Sequence, residues 1–215
     1  MPTLYGANAS PFVRKVRVVL AEKGIAYEHD PVVPFGVSAE YKQISPLGRI
    51  PAFRDGDRTL ADSSVICAYL ERTHPSPALY PSDAYDYARA LWFEEYGDGG
   101  MTPVIGPKIF FQRFINPRFF GKPTDEAVVS KAIDEELPPL FDYLERELGD
   151  REFMVGRSFT IGDIGLGTPL VNLRHAGVRV DPKRWPKLAA YVERIHGRPS
   201  FKSLIDEETA MYGLA

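Results

Sequence analysis

Ser10-Pro11 puts a hydroxyl and then a proline at the head of an apolar-periodic stretch, a pairing able to stabilise an anion. Proline suits the first position of a helix, where its missing amide proton costs nothing, and serine suits the position before it. A hydroxyl there lies beside unsatisfied backbone N–H groups at the positive end of the helix. A thiolate is one anion such a place would favour. Starting from a free-thiol pKa of about 8.5, a hydrogen bond to the charged form supplies roughly 1.5–3 kcal/mol and the helix end about 0.3–1 kcal/mol. Together these leave a bound thiol largely ionised near neutrality, and the thiolate is the nucleophilic form. The same residues also read as an ordinary capped helix start, and Asn8 and Tyr5 are rival donors, Tyr5 suiting a core position as well.

Other polar groups are weaker on their own. Gly48-Arg49-Ile50-Pro51 reads as a turn entering an edge strand, and Asp62-Ser63 as an Asp/Ser helix start. Arg14, Lys15 and Arg17 read as a solvated helix face, and Cys67 as a small buried apolar residue. His29, His74, His175 and His196 are scattered without metal-ligand spacing, so no metal is expected.

The elements that must position these groups follow from periodicity. Thr3 to Tyr5 predicts a short strand and Gly6 to Ala9 a loop. Phe12, Val13, Val16, Val19 and Leu20 recur at helical spacing until Lys23-Gly24. Tyr27 to Val33 predicts a second strand, Ser38 to Ile44 a short helix, and Pro51-Ala52-Phe53 a third strand turning at Asp55-Gly56 into Thr59-Leu60. A helix from Ser63 carries Val65, Ile66, Tyr69 and Leu70 and ends before Pro75. That order, β-α-β-α-β-β-α, is a compact mixed unit. Pro75, Pro77 and Pro81 then suit a semi-rigid connector. Beyond Tyr85 the pattern is helical: Tyr87 to Tyr96, an aromatic stretch from Pro107 to Phe120, and a run placing Val128, Val129, Ala132, Leu137, Leu140, Phe141, Leu144 and Leu148 on one face, with Pro138-Pro139 bending it. The expected domains are 1–76 and 84–215, joined by a linker at 77–83.

Composition narrows the function. The 215 residues are 44% apolar and 26% charged, enough for one large or two small cores. A net charge of −3 gives no electrostatic reason to expect nucleic acid or an anionic membrane as partner. A single cysteine cannot form an internal disulfide, and Met1 to Gly6 lack the build of a secretion signal. No apolar run nears the ~20 residues that span a bilayer. A soluble protein in a reducing, cytoplasmic compartment is the expectation.

In the second half, Ser158-Phe159-Thr160-Ile161-Gly162-Asp163-Ile164 predicts a capping box between Thr160 and Asp163, with Phe159 and Ile164 at the staple positions. Taken with Asn8-Ala9-Ser10-Pro11-Phe12, Pro46-Leu47-Gly48-Arg49-Ile50-Pro51 and Asp62-Ser63-Ser64, the set resembles the soluble glutathione transferases over essentially the whole chain. The Ser10-Pro11-Phe12 form is similar to the serine-type and cysteine-type classes.

That resemblance implies a thioredoxin-like α/β N-terminal domain that binds glutathione, followed by an all-α C-terminal domain, in a homodimer. It implies Ser10 as the thiolate donor, with Asn8 the alternative. It implies a cis proline at Pro51 that turns the Ile50 main chain toward the cysteinyl residue, Arg49 near the glycyl carboxylate, and Asp62 and Ser63 at the γ-glutamyl end. Asp62 departs from the more usual Glu of the family. The aromatic-rich stretch reads as core or as the wall of a pocket for an apolar co-substrate, with Phe12, Phe110, Phe111 and Tyr212 as its candidates. The implied activity is conjugation of glutathione to small hydrophobic electrophiles in a detoxification role. The alternatives are glutathione-dependent reduction or peroxidase chemistry, against which serine in place of cysteine argues, and a non-catalytic binding or interaction protein on the same fold.

Overall fold

Alternation in the first strand decides what the first unit can pack. The computed structural model describes residues 1–214, and the chain separates into two compact units, Met1–Leu79 and Tyr80–Ala215. In the first unit β1 (Thr3–Tyr5), β2 (Glu28–Asp30), β3 (Ala52–Asp55) and β4 (Arg58–Ala61) form one sheet in the order β2-β1-β3-β4. β1 runs parallel to β2 and antiparallel to β3, which pairs antiparallel with β4. Leu4 lies opposite Phe53, and both are buried. Helices α1 (Pro11–Glu22) and α3 (Ser63–Thr73) pack on each other, contributing Val13, Val16, Val19, Leu20, Ile66, Cys67 and Leu70 to that core. On the other face the Tyr5 ring meets Tyr41 of α2 (Ala39–Ile44) edge-on, with centroids 6.2 Å apart.

Three sequence expectations need correction. The second strand pairs only over Glu28–Asp30, because Pro31 has no amide for the ladder and Val32 N–H turns back to Asp30 O at 2.8 Å. Arg14, Lys15 and Arg17 are buried rather than solvated. Their long polar ends find partners: Lys15 Nζ donates to Ser64 Oγ at 2.9 Å, and Arg17 Nε to Tyr27 OH at 2.8 Å. Val128 is exposed although Val129 is buried, since neighbouring helical positions point about 100° apart.

The residues after α3 are tied to the first unit. Lys23 Nζ donates to the carbonyls of His74 (2.6 Å) and Pro77 (2.9 Å) and pairs with Glu71 at 2.7 Å. Glu71 in turn accepts the Leu79 N–H at 3.2 Å.

The second unit is helical throughout. α4 (Ala84–Glu95) continues through a π-helical turn, Tyr96–Met101, into the short α5 (Thr102–Ile105) and a π-helical aromatic stretch, Gly106–Phe120. α6 (Glu126–Lys131) passes through another π turn, Ala132–Glu136, into α7 (Leu137–Leu148), so the prolines at 138 and 139 fall in the first turn of α7. α8 (Ile161–His175), α9 (Pro186–His196) and α10 (Pro199–Tyr212) complete the unit. α8 is its central helix and crosses α4 closely. A Cβ on Gly165 would lie 2.7 Å from the Glu94 Cα, and one on Gly97 would lie 2.2 Å from the Gly165 carbonyl oxygen.

The capping box of α8 is formed. Asp163 accepts the Thr160 N–H at 2.8 Å, the Thr160 hydroxyl at 3.1 Å, the Met154 N–H at 2.9 Å and the Tyr191 hydroxyl at 2.8 Å. Burial pushes this carboxyl above the ordinary carboxylate range while those hydrogen bonds pull it down. Asp163→Ala would strand several buried donors, each costing about 1–3 kcal/mol. A loss of about 3 kcal/mol or more is therefore expected, read as a lowered denaturant midpoint with the slope of the transition unchanged.

Candidate functional site

The loop from β1 to α1 is fixed before it reaches Ser10. Gly6 N–H donates to Asp30 O at 2.8 Å, His29 Nε2 meets Gly6 O at 2.7 Å, and Ser10 N–H closes a turn on Ala7 O at 3.0 Å. Ser10 caps α1 from extended backbone, and its Oγ accepts the Val13 N–H at a long 3.4 Å. That loose contact uses a lone pair, so the hydroxyl proton is available to an acceptor. Asn8 is buried, whereas Ser10 and Phe12 are half-buried. The Tyr5 ring lies between Tyr41 and the Arg54 guanidinium, whose carbon stands 5.9 Å from the ring centroid.

Gly6 also shows what lies beside this loop. It has φ +143°, and a Cβ there would fall 2.4 Å from Val13 Cγ2 and 3.1 Å from Ile50 Cβ. The Ile50 segment therefore packs against the head of α1. Its backbone is set by Arg49, whose carbonyl accepts from Tyr41 OH at 2.9 Å and Ser45 Oγ at 2.7 Å, while the Arg49 side chain is exposed. The Ile50–Pro51 bond is cis, and among the described residues neither the N–H nor the C=O of Ile50 has a backbone partner.

Pro51 O in turn accepts the Asp62 N–H at 3.4 Å, which joins this turn to the head of α3. Asp62 holds φ +83°, outside the glycine positions the one positive φ among the described residues. That backbone turns its carboxylate onto the helix, where Oδ1 accepts the amides of Ser64 (2.9 Å) and Val65 (3.2 Å). Ser63, the first residue of α3, is only 3% exposed, and no hydrogen bond among the described residues engages its amide or its hydroxyl. Lys15, in α1, reaches the next residue, Ser64. Ser10, Arg49, Ile50, Pro51, Asp62 and Ser63 are thus gathered by Gly6, Pro51 and Lys15 around two helix N-termini and one unpaired stretch of backbone. Lys15 is the member that sequence reasoning missed. It sits three residues after Phe12 and one before Val16, on the apolar stripe itself.

The remaining candidates divide between the units. Phe12 belongs to the first. In the second, Phe110 stacks on Phe114 at 4.6 Å, Tyr212 meets Phe114 edge-on at 5.1 Å, and Phe111 stacks on Phe120 at 6.0 Å. Phe114, wholly buried, is the hub of this cluster, and the Arg118 guanidinium lies 4.6 Å from its ring. Among the described residues no three His, Cys, Asp or Glu side chains group as a metal site, and no helix is long and apolar enough to cross a membrane.

Comparison with known proteins gives concordant matches. The family model described as "Glutathione S-transferase, N-terminal domain" matches residues 4–78, and "Glutathione S-transferase, C-terminal domain" matches residues 126–194. A probable glutathione S-transferase GSTF2 from Oryza sativa subsp. japonica is 31% identical over 206 residues, 92% of each chain. A stringent starvation protein A homolog from Pasteurella multocida is 27% identical, over 96% of this chain and 95% of that one. Among solved structures, a glutathione S-transferase from Methylobacterium radiotolerans in complex with glutathione sulfonate superposes with a TM-score of 0.77 at 30% identity, covering 95% of this chain and 94% of its own.

The Asp62 geometry makes a test of its own. Asn caps as well as Asp and tolerates positive φ, so Asp62→Asn is expected to hold stability within about 0.5 kcal/mol. Asp62→Ala loses a cap worth about 1 kcal/mol, so a drop of about 1 kcal/mol is expected in chemical denaturation.

Proposed function

The chain belongs to the glutathione S-transferase family, and on that premise we propose that it conjugates the thiolate of glutathione to small apolar electrophiles. The observation that carries this reading is the convergence of the Ser10 cap, the unpaired Ile50 main chain and the Asp62–Ser63 helix start in one unit. Each answers a different part of an extended tripeptide. Ser10 donates to the sulfur anion, as the serine-type and cysteine-type classes would, and lowers its pKa through a hydrogen bond made only to the charged form. Ile50 offers one donor and one acceptor to the cysteinyl backbone, in the manner of an added antiparallel strand. Arg49, exposed at the turn, meets the glycyl carboxylate. The Ser63 amide and hydroxyl take the γ-glutamyl carboxylate at the positive end of α3, and Asp62 takes the ammonium.

Phe12, half-buried at the head of α1, is the first unit's candidate contact for an apolar electrophile. Holding both reactants in register supplies much of the rate advantage in such a transfer. The reading includes a homodimer working in the cytoplasm, in a detoxification role.

Glutathione-dependent reduction is disfavoured, because a hydroxyl stands where exchange chemistry needs a thiol and Cys67 is buried in α3. A non-catalytic binding role is the second reading. It is favoured by one observation, that a full-length relative bears the name of a stringent starvation protein rather than of a transferase.

Retention on immobilised glutathione tests the binding claim, and flow-through sinks it. Turnover of an aryl halide, set against hydroperoxide and mixed-disulfide substrates, tests the reaction. Ser10→Ala is expected to raise the thiol pKa of bound glutathione by about one unit or more, read from thiolate absorbance against pH. An unchanged titration moves the donor role to Asn8.

A further inference from the structure

One carbonyl in the proposed site is held by two hydroxyls. Tyr41, on α2, and Ser45, the residue that caps its C-terminal end, stand four positions apart, and their side chains reach the same oxygen. Both are buried, and both donate to Arg49 O, Tyr41 OH at 2.9 Å and Ser45 Oγ at 2.7 Å. The chain comes back to them through a tight turn in which Gly48, at φ +64°, gives its N–H to Ser45 O at 2.8 Å. One donor is enough to answer a carbonyl; two occupy both of its lone pairs and remove its freedom to swing. Burial pushes the Tyr41 phenol up to about 12, so it keeps its proton and goes on donating near neutrality.

What the pair fixes lies on the far side of the peptide. The Arg49–Ile50 bond is trans, so Arg49 C=O and Ile50 N–H belong to one rigid plane and point in opposite directions. Holding the oxygen against α2 therefore aims the Ile50 N–H away from α2. That N–H has no backbone partner among the described residues. Hydrogen bonds accepted by a peptide oxygen also polarise the N–H of the same unit and make it a stronger donor. A donor that is aimed, strengthened and left open by the backbone suits an acceptor outside the chain.

We propose that Tyr41 and Ser45 are positioning residues for the cysteinyl carbonyl of glutathione, clamping the Arg49–Ile50 peptide so that Ile50 N–H meets that oxygen. This rests on the glutathione reading above and deepens it. The clamp acts through one main-chain donor, so its effect falls on capture of the tripeptide and on one atom of it. The thiolate, assigned above to Ser10, is left alone.

Calorimetry on the double variant Tyr41→Phe/Ser45→Ala tests this with two ligands: glutathione, and an analogue in which a trans-alkene replaces the cysteinyl–glycine amide and so removes the acceptor. The variant is expected to bind glutathione about tenfold more weakly than wild type does, and the alkene with the wild type's own affinity. KM for glutathione rises while kcat at saturation and the pKa of the bound thiol stay put. Equal losses for both ligands mark a general loosening of the site and overturn the clamp, as does an unchanged affinity for glutathione. If the double variant does not fold, Tyr41→Phe alone deletes one hydroxyl and keeps the ring that meets Tyr5. A loss of about threefold confined to glutathione is then expected, and an equal loss for both ligands, or none, overturns the proposal there too. Wild-type protein that fails to bind glutathione overturns the functional reading itself. Wild-type protein that binds glutathione and the alkene equally overturns the clamp alone.

Discussion

The first amides of an α-helix have no partner within the helix, and something must answer them. Two such ends, the heads of α1 and α3, are drawn together here, and the hydrogen bonds from their own capping residues leave some of these amides unanswered. Ser10 reaches Val13 N–H only at 3.4 Å, and Asp62 takes the amides of Ser64 and Val65 but leaves that of Ser63. A chain built for stability alone would close both ends tightly. Gly6, Pro51 and the bonds to Asp30 and His29 fix the backbone around both ends, and a fixed helix end with open donors is the kind of place that favours an anion. The strained φ of Asp62 belongs to the same device, since it is what directs the carboxylate onto the helix end.

The second unit depends on a different carboxylate. Asp163 is buried at the start of α8 and gathers donors from the α8 cap, from the preceding Met154 segment and from Tyr191 of α9. It thereby fixes the end of the helix that Gly97 and Gly165 let α4 approach. The Tyr191 phenol, fully buried against it, is pushed well above its ordinary pKa by desolvation first and by the neighbouring negative charge second, so it stays protonated and keeps donating.

Much of this was legible in the sequence because local chemistry and global packing agreed. Ser10-Pro11, Asp62-Ser63 and Thr160 to Asp163 each announce a helix start through residues that satisfy amides by themselves, and each is a helix start in the fold. Failures came where a residue's type pointed one way and its position another. Lys15 was read by its charge as solvated, although Phe12, Lys15, Val16 and Val19 fall at i, i+3, i+4 and i+7 of a single stripe. Val128 was read by its apolarity as core, although Val129 already claims the inward direction. The shortened β2 was written in Pro31, which no ladder can use as a donor. The link from Pro51 O to Asp62 N–H, by contrast, had no sequence signal, because it depends on the register of β3 against β4.

The charges around Ser63 also explain why this helix end would not serve as a general phosphate site. An N-terminus with a lone cation beside it attracts any small anion. Here the capping residue is itself a carboxylate, and only one of its oxygens, Oδ1, is committed to the helix. A dianion approaching Ser63 would meet the Asp62 carboxylate as well as the positive helix end. A group carrying both signs on adjacent atoms would suit both, its anion at the helix end and its cation at the free side of the Asp62 carboxylate.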